Sequence, residues 1–228
     1  MCAVVGVKLD VISFKELELI KRVIEESEIR GRHATGVAFY NGKLNAYKEN
    51  IPPRTFLKKF DLSEIIYNNS IRAIFHIRYS TSDIHYPQPI GNEKEGFIVH
   101  NGVISQEPPE LWETSYNILC ETKNDTELLF HWFKNTRDKS YLQKFPGCSA
   151  SAVFLAPNGK LINFRNGLRP QWKATLKNGY IIASTKNILL RADKELNLIE
   201  NIEKVIPDDL EKIDRTMDFV PEEEEYEW

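Results

Sequence analysis

Residues 1–10, MCAVVGVKLD, place a cysteine directly before a short run of apolar, β-prone residues. The run from Ala3 to Val7 predicts a buried strand that begins at the very start of the chain. Cys2 is therefore the residue directly before the predicted buried strand.

A helix and a hairpin follow this strand. Ser13, with Glu16 three residues later, forms a capping box, and apolar residues recur at helical spacing as far as about Ile29. The helix is expected to end at Arg30-Gly31. Two strand-like runs, 36–40 and 44–48, flank Asn41-Gly42, which is a strong hairpin signal.

The rest of the chain continues this mixture of strands and helices. A short helix is predicted over 54–60, a buried strand over 71–77, a loop from Ser80 to about Glu95, and a short strand over 97–100 that ends at Asn101-Gly102. Helices are predicted from Asn124 to about Asn135 and over 186–192, with turns at 157–159, 166–167 and 178–179. Antiparallel sheets covered by helices are therefore expected, without an internal domain boundary.

Composition excludes several classes of protein. The chain has 228 residues, 30 Lys and Arg against 33 Asp and Glu, a net charge of −3 and 42% hydrophobic residues. These values exclude a disordered or collagen-like chain and predict no nucleic-acid partner. No segment reaches the ~18 consecutive apolar residues of a membrane span, and nothing marks export. Three cysteines without a CxxC pattern favour a reducing, cytoplasmic setting without disulfides.

Cys2 is the first candidate for chemistry. Removal of Met1 would leave a cysteine with its own α-amine, whose pKa is about 7.7–8.0, beside a thiol of pKa about 8.5. One residue would then supply both the nucleophile and its general base. The alternative is a small buried hydrophobic residue at the start of a strand.

Asn101 and Gly102 are candidates for stabilising an oxyanion. Acyl transfer from an amide forms a tetrahedral oxyanion, and an amide side chain and a close backbone N–H are typical donors to it. Gly102 permits such a close approach because it lacks a Cβ. The alternative is a simple type I′ turn.

Arg78 and Asp125 are candidates for holding a free amino acid. Arg78 could bind an α-carboxylate with two hydrogen bonds, and Asp125 could pair with an α-ammonium group. The alternatives are a surface ion pair for Arg78 and a favourable first-turn acid for Asp125.

No cofactor and no metal site is predicted. Asp83 and His85 lie close in sequence, but no HExxH or Cys/His pairing accompanies them. His131 is interpreted as a packing residue, and Cys120 and Cys148 as core or incidental cysteines.

Taken in order, these segments resemble the class II glutamine amidotransferases, whose glutaminase domain belongs to the N-terminal nucleophile (Ntn) hydrolases. Residues 1–6 resemble the family's opening with its nucleophilic cysteine, 30–36 its Arg-Gly-x-Asp-x-x-Gly segment, and 76–81 its glutamine-binding arginine segment. Residues 86–89 resemble a short Pro-containing stretch, 100–104 the oxyanion segment, and 124–127 the segment with the acid that binds the glutamine ammonium. Residues 164–170 and 183–184 resemble the later Arg-Asp-x-x-Gly-x-Arg-Pro and Ala-Ser-Glu segments.

The resemblance implies an α+β fold, a four-layer αββα sandwich of two antiparallel sheets flanked by helices. It implies one glutaminase-type domain over residues 1–220, followed by an acidic tail over 221–228. The residues that it assigns to catalysis are Cys2, Asn101 and Gly102; those that it assigns to substrate binding are Arg78, Thr81 and Asp125; Arg30 and His33 are placed in a supporting loop.

Three positions depart from the family. His33 and Asn166 stand where the family usually has Asp, and Thr185 stands where Glu is common. An imidazole in place of a carboxylate beside Arg30 and Arg32 removes a fixed negative charge and is expected to loosen the loop, unless the change is tolerated drift.

The predicted function is hydrolysis of the glutamine side-chain amide to glutamate and ammonia. About forty residues follow Ser184, too few for an acceptor-binding domain, so a separate synthase subunit is expected to receive the ammonia. Two alternatives stay open. One is an N-terminal-cysteine hydrolase of another γ-glutamyl or linear amide without ammonia transfer, and the other is a noncatalytic regulatory module that retains the fold.

Overall fold

A computed structural model describes residues 1–80, 86–134, 144–145, 147–166 and 169–206. These residues contain twelve β-strands and five α-helices. The strands form two sheets, and every pairing in them is antiparallel. The predicted domain end at residue 220 and the acidic tail over 221–228 lie outside the described residues and stay predictions.

The larger sheet contains eight of these strands. They are β1 (Ala3–Leu9), β2 (Ala34–Tyr40), β3 (Leu44–Glu49), β4 (Ile66–Tyr67), β5 (Ser70–Arg78), β10 (Trp172–Leu176), β11 (Gly179–Ala183) and β12 (Ile199–Lys204). Their order is β12-β10-β11-β1-β5-β2-β3, and β4 pairs with β5. The N-terminal strand is therefore central, with β5 on one side and β11 on the other.

The smaller sheet contains four strands in sequence order. They are β6 (Ile90–Asn92), β7 (Gly96–Val103), β8 (Ser149–Leu155) and β9 (Leu161–Arg165). The helices are α1 (Phe14–Glu26), α2 (Pro53–Lys59), α3 (Trp112–Tyr116), α4 (Thr126–Lys134) and α5 (Lys186–Asp193). No described helix has both the length and the apolar character that crossing a membrane requires.

The side chains of β1 show how the two sheets are layered. Val5 and Val7 are fully buried in a core cluster that includes Leu19 of α1, whereas the alternate residue Val4 is buried in a different cluster with Val153 of β8. Successive residues of a strand point to opposite faces. The larger sheet is therefore covered by helices on one face and by the smaller sheet on the other.

The smaller sheet is covered by α4 on its outer face. Ile98 of β7 and Phe154 of β8 lie in one core cluster with Leu128 and Phe133 of α4, and the Phe133 and Phe154 rings stack at 5.2 Å. The layer order is helix, sheet, sheet, helix. This confirms the predicted four-layer αββα sandwich.

Local signals located most elements correctly. The Ser13 backbone N–H donates to Glu16 Oε2 at 2.7 Å, as the capping box requires. β2 and β3 pair across Asn41-Gly42, as predicted. The first helix is shorter than predicted. It ends at Glu26, where a 3₁₀ turn from Ser27 to Arg30 follows, and Ser27 Oγ donates to the Val23 carbonyl at 2.7 Å.

Two predictions around residue 100 were wrong. β7 does not end at Asn101-Gly102 but continues to Val103, because β8 supplies partners for it as far as Ser149. The interpretation of Asn101-Gly102 as a type I′ turn is therefore wrong as well. The predicted loop over 80–95 also contains a strand, β6, which pairs with the start of β7.

Candidate active site

Cys2 lies at the end of the larger sheet where β1 begins and β5 ends. Ala3 pairs with Ile77 of β5, and the Cys2 Sγ is 3.7 Å from the Tyr79 carbonyl oxygen. The Arg30 Nε donates to the Cys2 carbonyl at 2.8 Å. The backbone around Cys2 is thus held by the predicted loop residue Arg30 and lies directly beside Arg78 and Tyr79.

Ser184 fixes the start of β1 from the other side. Its hydroxyl is fully buried and accepts a hydrogen bond from the Val4 N–H at 2.9 Å. A buried N–H without such a partner would cost about 1–3 kcal/mol. The resemblance named Ser184 only as part of a motif, and the contact shows what the side chain does.

The Cys2 thiol experiences opposing influences. Burial is the largest influence and raises its pKa above the ordinary value, while a hydrogen bond with the Tyr79 backbone, the chain's N-terminal charge and the guanidinium groups of Arg78 and Arg30 partly offset this rise. At Cys120, burial and the negative charge of Glu127 both act in one direction and raise the pKa to about 12. Cys2 therefore has neighbours that favour a thiolate, in contrast to Cys120.

Arg78 and the segment before α4 meet at one carbonyl group. The Arg78 Nη1 donates to the Tyr86 carbonyl at 2.7 Å, and the Asn124 Nδ2 donates to the same oxygen at 2.8 Å. Asp125 follows directly, and its Oδ2 accepts the Ile104 N–H at 2.7 Å. The Tyr86 carbonyl thus joins Arg78, the predicted carboxylate-binding residue, to Asn124, which directly precedes Asp125, the predicted ammonium-binding residue.

The position of Asp125 differs from a simple first-turn acid. α4 begins at Thr126, whose N–H is capped by Asn124 Oδ1 at 3.1 Å. Because Asp125 bonds to Ile104, it connects the start of α4 to the residue just after β7. Thr81, the third predicted substrate-binding residue, lies outside the described residues, as do Asp83 and His85.

Asn101 is buried near the end of β7, with 4% of its surface exposed. Its backbone pairs with Ser151 of β8. Its side-chain Nδ2, however, is buried and has no hydrogen-bond partner in the described part of the chain. Buried amide groups are almost always hydrogen-bonded, so an unbonded one needs an explanation.

Gly102 occupies a backbone conformation that other residues rarely adopt. Its φ is +150°, and a Cβ at this position would overlap the Ser149 carbonyl oxygen. Ala150, which lies opposite Gly102, makes its backbone bonds at 3.0 Å with Asn166. In an antiparallel pair, two opposite residues either exchange both backbone hydrogen bonds or direct their N–H and C=O groups away from each other. Gly102 and Ala150 form a pair of the second kind, so the Gly102 N–H does not bond to Ala150.

Arg169 connects the two halves of the candidate site. Its Nε donates to Ser149 Oγ at 3.1 Å, and its Nη1 lies 3.9 Å from the Met1 Sδ. Ser149 Oγ in turn accepts the Val103 N–H at 3.2 Å. The sequence located Arg169 in the segment 164–170 that resembles the family but gave this residue no role, because the residues that it contacts lie about 20 and 168 positions away in the chain.

Gln88 is a second residue whose contribution was missed. It is buried, its Oε1 accepts the His100 N–H at 2.6 Å, and its Nε2 donates to the His100 carbonyl at 3.1 Å and to Thr126 Oγ1 at 2.8 Å. The signal that could have found it is its place in the Tyr86-Pro87-Gln88-Pro89 stretch. It holds the segment carrying the Tyr86 carbonyl against β7 and α4.

His33 binds the segment that carries Arg78. Its Nδ1 accepts the Ser80 N–H at 2.8 Å, its backbone N–H donates to the Arg78 carbonyl at 3.0 Å, and its ring lies 5.2 Å from that of Tyr79. An imidazole can thus hold this segment as a hydrogen-bond acceptor. The expected loosening of the loop is not visible in these contacts and stays a prediction.

The structure also explains the departure at Asn166. Its Oδ1 accepts the Ala150 N–H at 3.0 Å, and its Nδ2 donates to the Cys148 carbonyl at 2.6 Å. An aspartate could make the first bond but not the second, because a carboxylate has no N–H group. Thr185, the third departure, is the residue before α5 and its side chain makes no capping bond.

Known structures were compared with this chain. Glutamine phosphoribosylpyrophosphate (PRPP) amidotransferase from B. subtilis, complexed with ADP and GMP, superposes with a TM-score of 0.68 at 21% identity over 90% of this chain. A structure described as the allosteric regulatory enzyme of purine biosynthesis gives 0.67 at 21% identity, also over 90%. A glutamine aminotransferase class-II domain protein from Silicibacter pomeroyi gives 0.51 at 12% identity over 81% of this chain and 88% of its own.

The chain spans less than half the length of the first two structures, 46% and 45%. No family model and no curated protein matches the sequence. At these identities the comparison concerns the fold. The chain shares its fold with these structures, which agrees with its resemblance to the class II glutamine amidotransferases.

Proposed function

We propose that this protein hydrolyses the side-chain amide of glutamine, with Cys2 as its nucleophile after removal of Met1. The observation that carries the proposal is the buried Asn101 amide, whose Nδ2 has no hydrogen-bond partner within the described ranges. A donor held in a fixed position without a partner is suited to an oxyanion that forms only during a reaction.

In the proposed reaction the Cys2 α-amine, directly or through a water, takes the thiol proton. The Cys2 thiolate attacks the amide carbon, and Asn101 Nδ2 and the Gly102 N–H stabilise the oxyanion. The carbon–nitrogen bond breaks as the amide nitrogen takes the proton and leaves as ammonia, which leaves a γ-glutamyl thioester on Cys2. Water then cleaves the thioester to glutamate and restores the thiol.

Arg78, Thr81 and Asp125 are the proposed substrate-binding residues. The Tyr86 carbonyl accepts a hydrogen bond from the Arg78 guanidinium and orients it. The planar guanidinium group matches the geometry of a carboxylate, which suits it to binding the glutamine α-carboxylate. The Ile104 N–H orients the Asp125 carboxylate toward the proposed role of pairing with the α-ammonium. A carboxylate can accept several hydrogen bonds at once.

Met1 is 46% exposed, so an aminopeptidase could reach it. While Met1 is present, the nitrogen of Cys2 belongs to a peptide bond and cannot act as a base. The proposal therefore requires that Met1 be removed.

We further propose that the ammonia is passed to an acceptor held elsewhere, on a partner protein or on a further part of the protein. The support is the difference in length: this chain covers less than half of the matched PRPP amidotransferase chain. Closing the path to water would keep ammonia unprotonated during transfer. Copurification with a synthase, together with glutamine-dependent product formation, tests this part separately.

The central experiment combines intact-mass measurement with covalent labelling. The purified protein is expected to lack Met1, to release glutamate from glutamine, and to form one adduct at Cys2 with a glutamine-analogue electrophile. Cys2→Ala should abolish both the adduct and glutamate release, while the matched controls Cys120→Ser and Cys148→Ser should keep them.

Three outcomes would overturn the proposal. They are labelling at Cys120 or Cys148 instead of Cys2, unchanged glutamate release in Cys2→Ala, and full activity in protein that retains Met1. Turnover of another γ-glutamyl amide, with glutamine left intact, would replace the substrate but keep the nucleophile.

A further inference from the structure

A second cluster of reactive side chains lies apart from Cys2, at the start of α4. Cys120 precedes the helix, and Glu127 and His131 lie one helical turn apart on it. The Cys120 Sγ, a Glu127 carboxylate oxygen and a His131 ring nitrogen all lie within 4.8 Å of one another. Glu127 Oε1 and His131 Nε2 are 3.9 Å apart.

The His131 ring is oriented with one nitrogen toward this cluster. Its Nε2 is buried and has no hydrogen-bond partner among the residues described. The backbone of Leu119, the neighbour of Cys120, lies beside the ring.

The Glu127 carboxylate is also held in place. Its Oε1 accepts the Glu121 N–H at 2.7 Å, and its Oε2 accepts the Thr122 N–H at 2.7 Å and the Thr122 hydroxyl at 2.6 Å. Each carboxylate oxygen has two lone pairs. Oε1 therefore keeps acceptor capacity on the side that faces His131.

We propose that Cys120, Glu127 and His131 bind a Zn²⁺ ion. Sulfur, nitrogen and oxygen ligands from Cys, His and Glu are those that Zn²⁺ takes in proteins. At metal–ligand distances of about 2.0–2.3 Å, tetrahedral geometry places ligand atoms roughly 3.3–3.8 Å apart. The Glu127 and His131 atoms, at 3.9 Å, are close to that spacing, and the remaining ligand atoms, within 4.8 Å, must approach by at most about 1.5 Å.

A fourth ligand can come from solvent. Cys120 lines a surface pocket of about 290 Å³, together with Leu119 and Thr122. The His131 side chain is also 22% exposed, so a water from the solvent side can complete four-coordination. Binding breaks the Cys120 S–H bond, forms a zinc–sulfur bond and releases the proton to the buffer. The bound ion would fasten the segment 119–122 to α4, close to Asp125, and the site is independent of the proposed amide hydrolysis.

Sequence patterns did not predict this site, because Cys-x6-Glu-x3-His is not one of the usual zinc spacings. The loop before α4 and the hydrogen bonds of Glu127 bring Cys120 to the helix.

The test measures Zn²⁺ binding to the full chain by equilibrium dialysis, and Co²⁺ binding by absorption spectroscopy. We expect one ion per chain, a thiolate-to-cobalt absorption band and a Zn²⁺-dependent rise in Tm. Cys120→Ser should remove the band, and His131→Gln should weaken Zn²⁺ binding by at least about tenfold, since even outer partners of metal ligands contribute 10–100-fold.

Two matched controls separate this site from the other thiols. Cys148→Ser and Cys2→Ala should keep the cobalt band, the stoichiometry and the Tm rise. Any one of three results would overturn the proposal: the wild-type chain binds no stoichiometric Zn²⁺, the Cys120→Ser and His131→Gln variants bind Zn²⁺ as tightly as the wild type does, or Cys2→Ala loses the cobalt band. Circular dichroism of each variant without metal checks that a loss of binding is not a loss of folding.

Discussion

Two asparagines flank the first residues of β8 and differ in how their amide groups are used. Asn101 pairs with Ser151 from β7, and Asn166 directly follows Arg165, which pairs with Ser151 from β9. Asn166 makes side-chain bonds to Ala150 and Cys148, whereas the Asn101 Nδ2 has no bonding partner in the described residues. The Asn166 amide links two strands of the sheet, and the Asn101 amide is the one for which we propose a role in the reaction.

The largest expected effect is on Asn101. Asn101→Ala should lower kcat for glutamine hydrolysis by about 10²–10³-fold, because it removes an oxyanion donor. The free energy of unfolding should change by only about 1 kcal/mol or less, since no side-chain Nδ2 bond is lost. Steady-state kinetics and urea unfolding measure the two quantities. A large loss of stability with unchanged kcat would contradict the comparison.

Asn166→Ala should show the opposite pattern. It removes two side-chain hydrogen bonds and leaves the Ala150 N–H and the Cys148 carbonyl without these partners, so we expect a loss of about 2–3 kcal/mol of stability. The kcat of the folded fraction should stay near the wild-type value. The stability of Asn166→Asp, which keeps the acceptor and loses the donor, should fall between those of the wild type and Asn166→Ala. Equal stability of all three proteins would be inconsistent with the role given to Asn166.

Two buried histidines extend the comparison to ring nitrogens. The ring nitrogens of His100 lie 3.3 Å from Thr126 Oγ1 and 3.3 Å from the Ser149 carbonyl, whereas His76 Nε2 has no bonding partner in the described ranges. Burial, with smaller contributions from Arg78 and His100, lowers the pKa of His76 to about 3.

This shift predicts a specific loss of stability in acid. In the unfolded chain a histidine takes up a proton near pH 6.5, but His76 in the folded chain does not do so until about pH 3. The free energy of unfolding should therefore decrease as the pH drops below about 6.5, and His76 should contribute about 2 kcal/mol of that loss between pH 7 and pH 5. His76→Gln should unfold with a shallower pH dependence, and an unchanged slope would refute this assignment.

The smallest expected effect is at His33, which bonds to Ser80 beside the candidate site. His33→Ala removes the acceptor of the Ser80 N–H, so stability should fall by about 1 kcal/mol and the KM for glutamine should rise. His33→Asp keeps an acceptor and should lose less. Isothermal unfolding and glutamine kinetics of both variants test this, and a larger defect in His33→Asp than in His33→Ala would argue against it.

Much of the fold was predictable because its signals are local. The capping box at Ser13 and Glu16, the Asn41-Gly42 hairpin and the apolar run over 71–77 each act over a few residues, and each located its element. The candidate site was inferred from signals of the same kind, because Cys2, Arg78 and Asp125 lie in short segments whose resemblance can be recognised one by one. The roles of these residues, like that of Thr81, stay predictions.

The errors arose where a distant strand decides the outcome. Asn101-Gly102 has the composition of a turn, yet β8 continues the pairing to Val103 and places both residues inside a strand. A turn signal acts within a few residues and does not include the distant strand that extends the pairing.

The amino-acid order predicted most of the elements, since propensity and spacing act within a turn or a strand, and its resemblance to a known family implied the four layers and the candidate residues. Folding in three dimensions settled which amide is bonded and which is left unbonded, how Arg169 spans the site, and that Cys120 meets Glu127 and His131. Those outcomes depend on the register between strands and on packing across layers, and neither is encoded within a short stretch of chain.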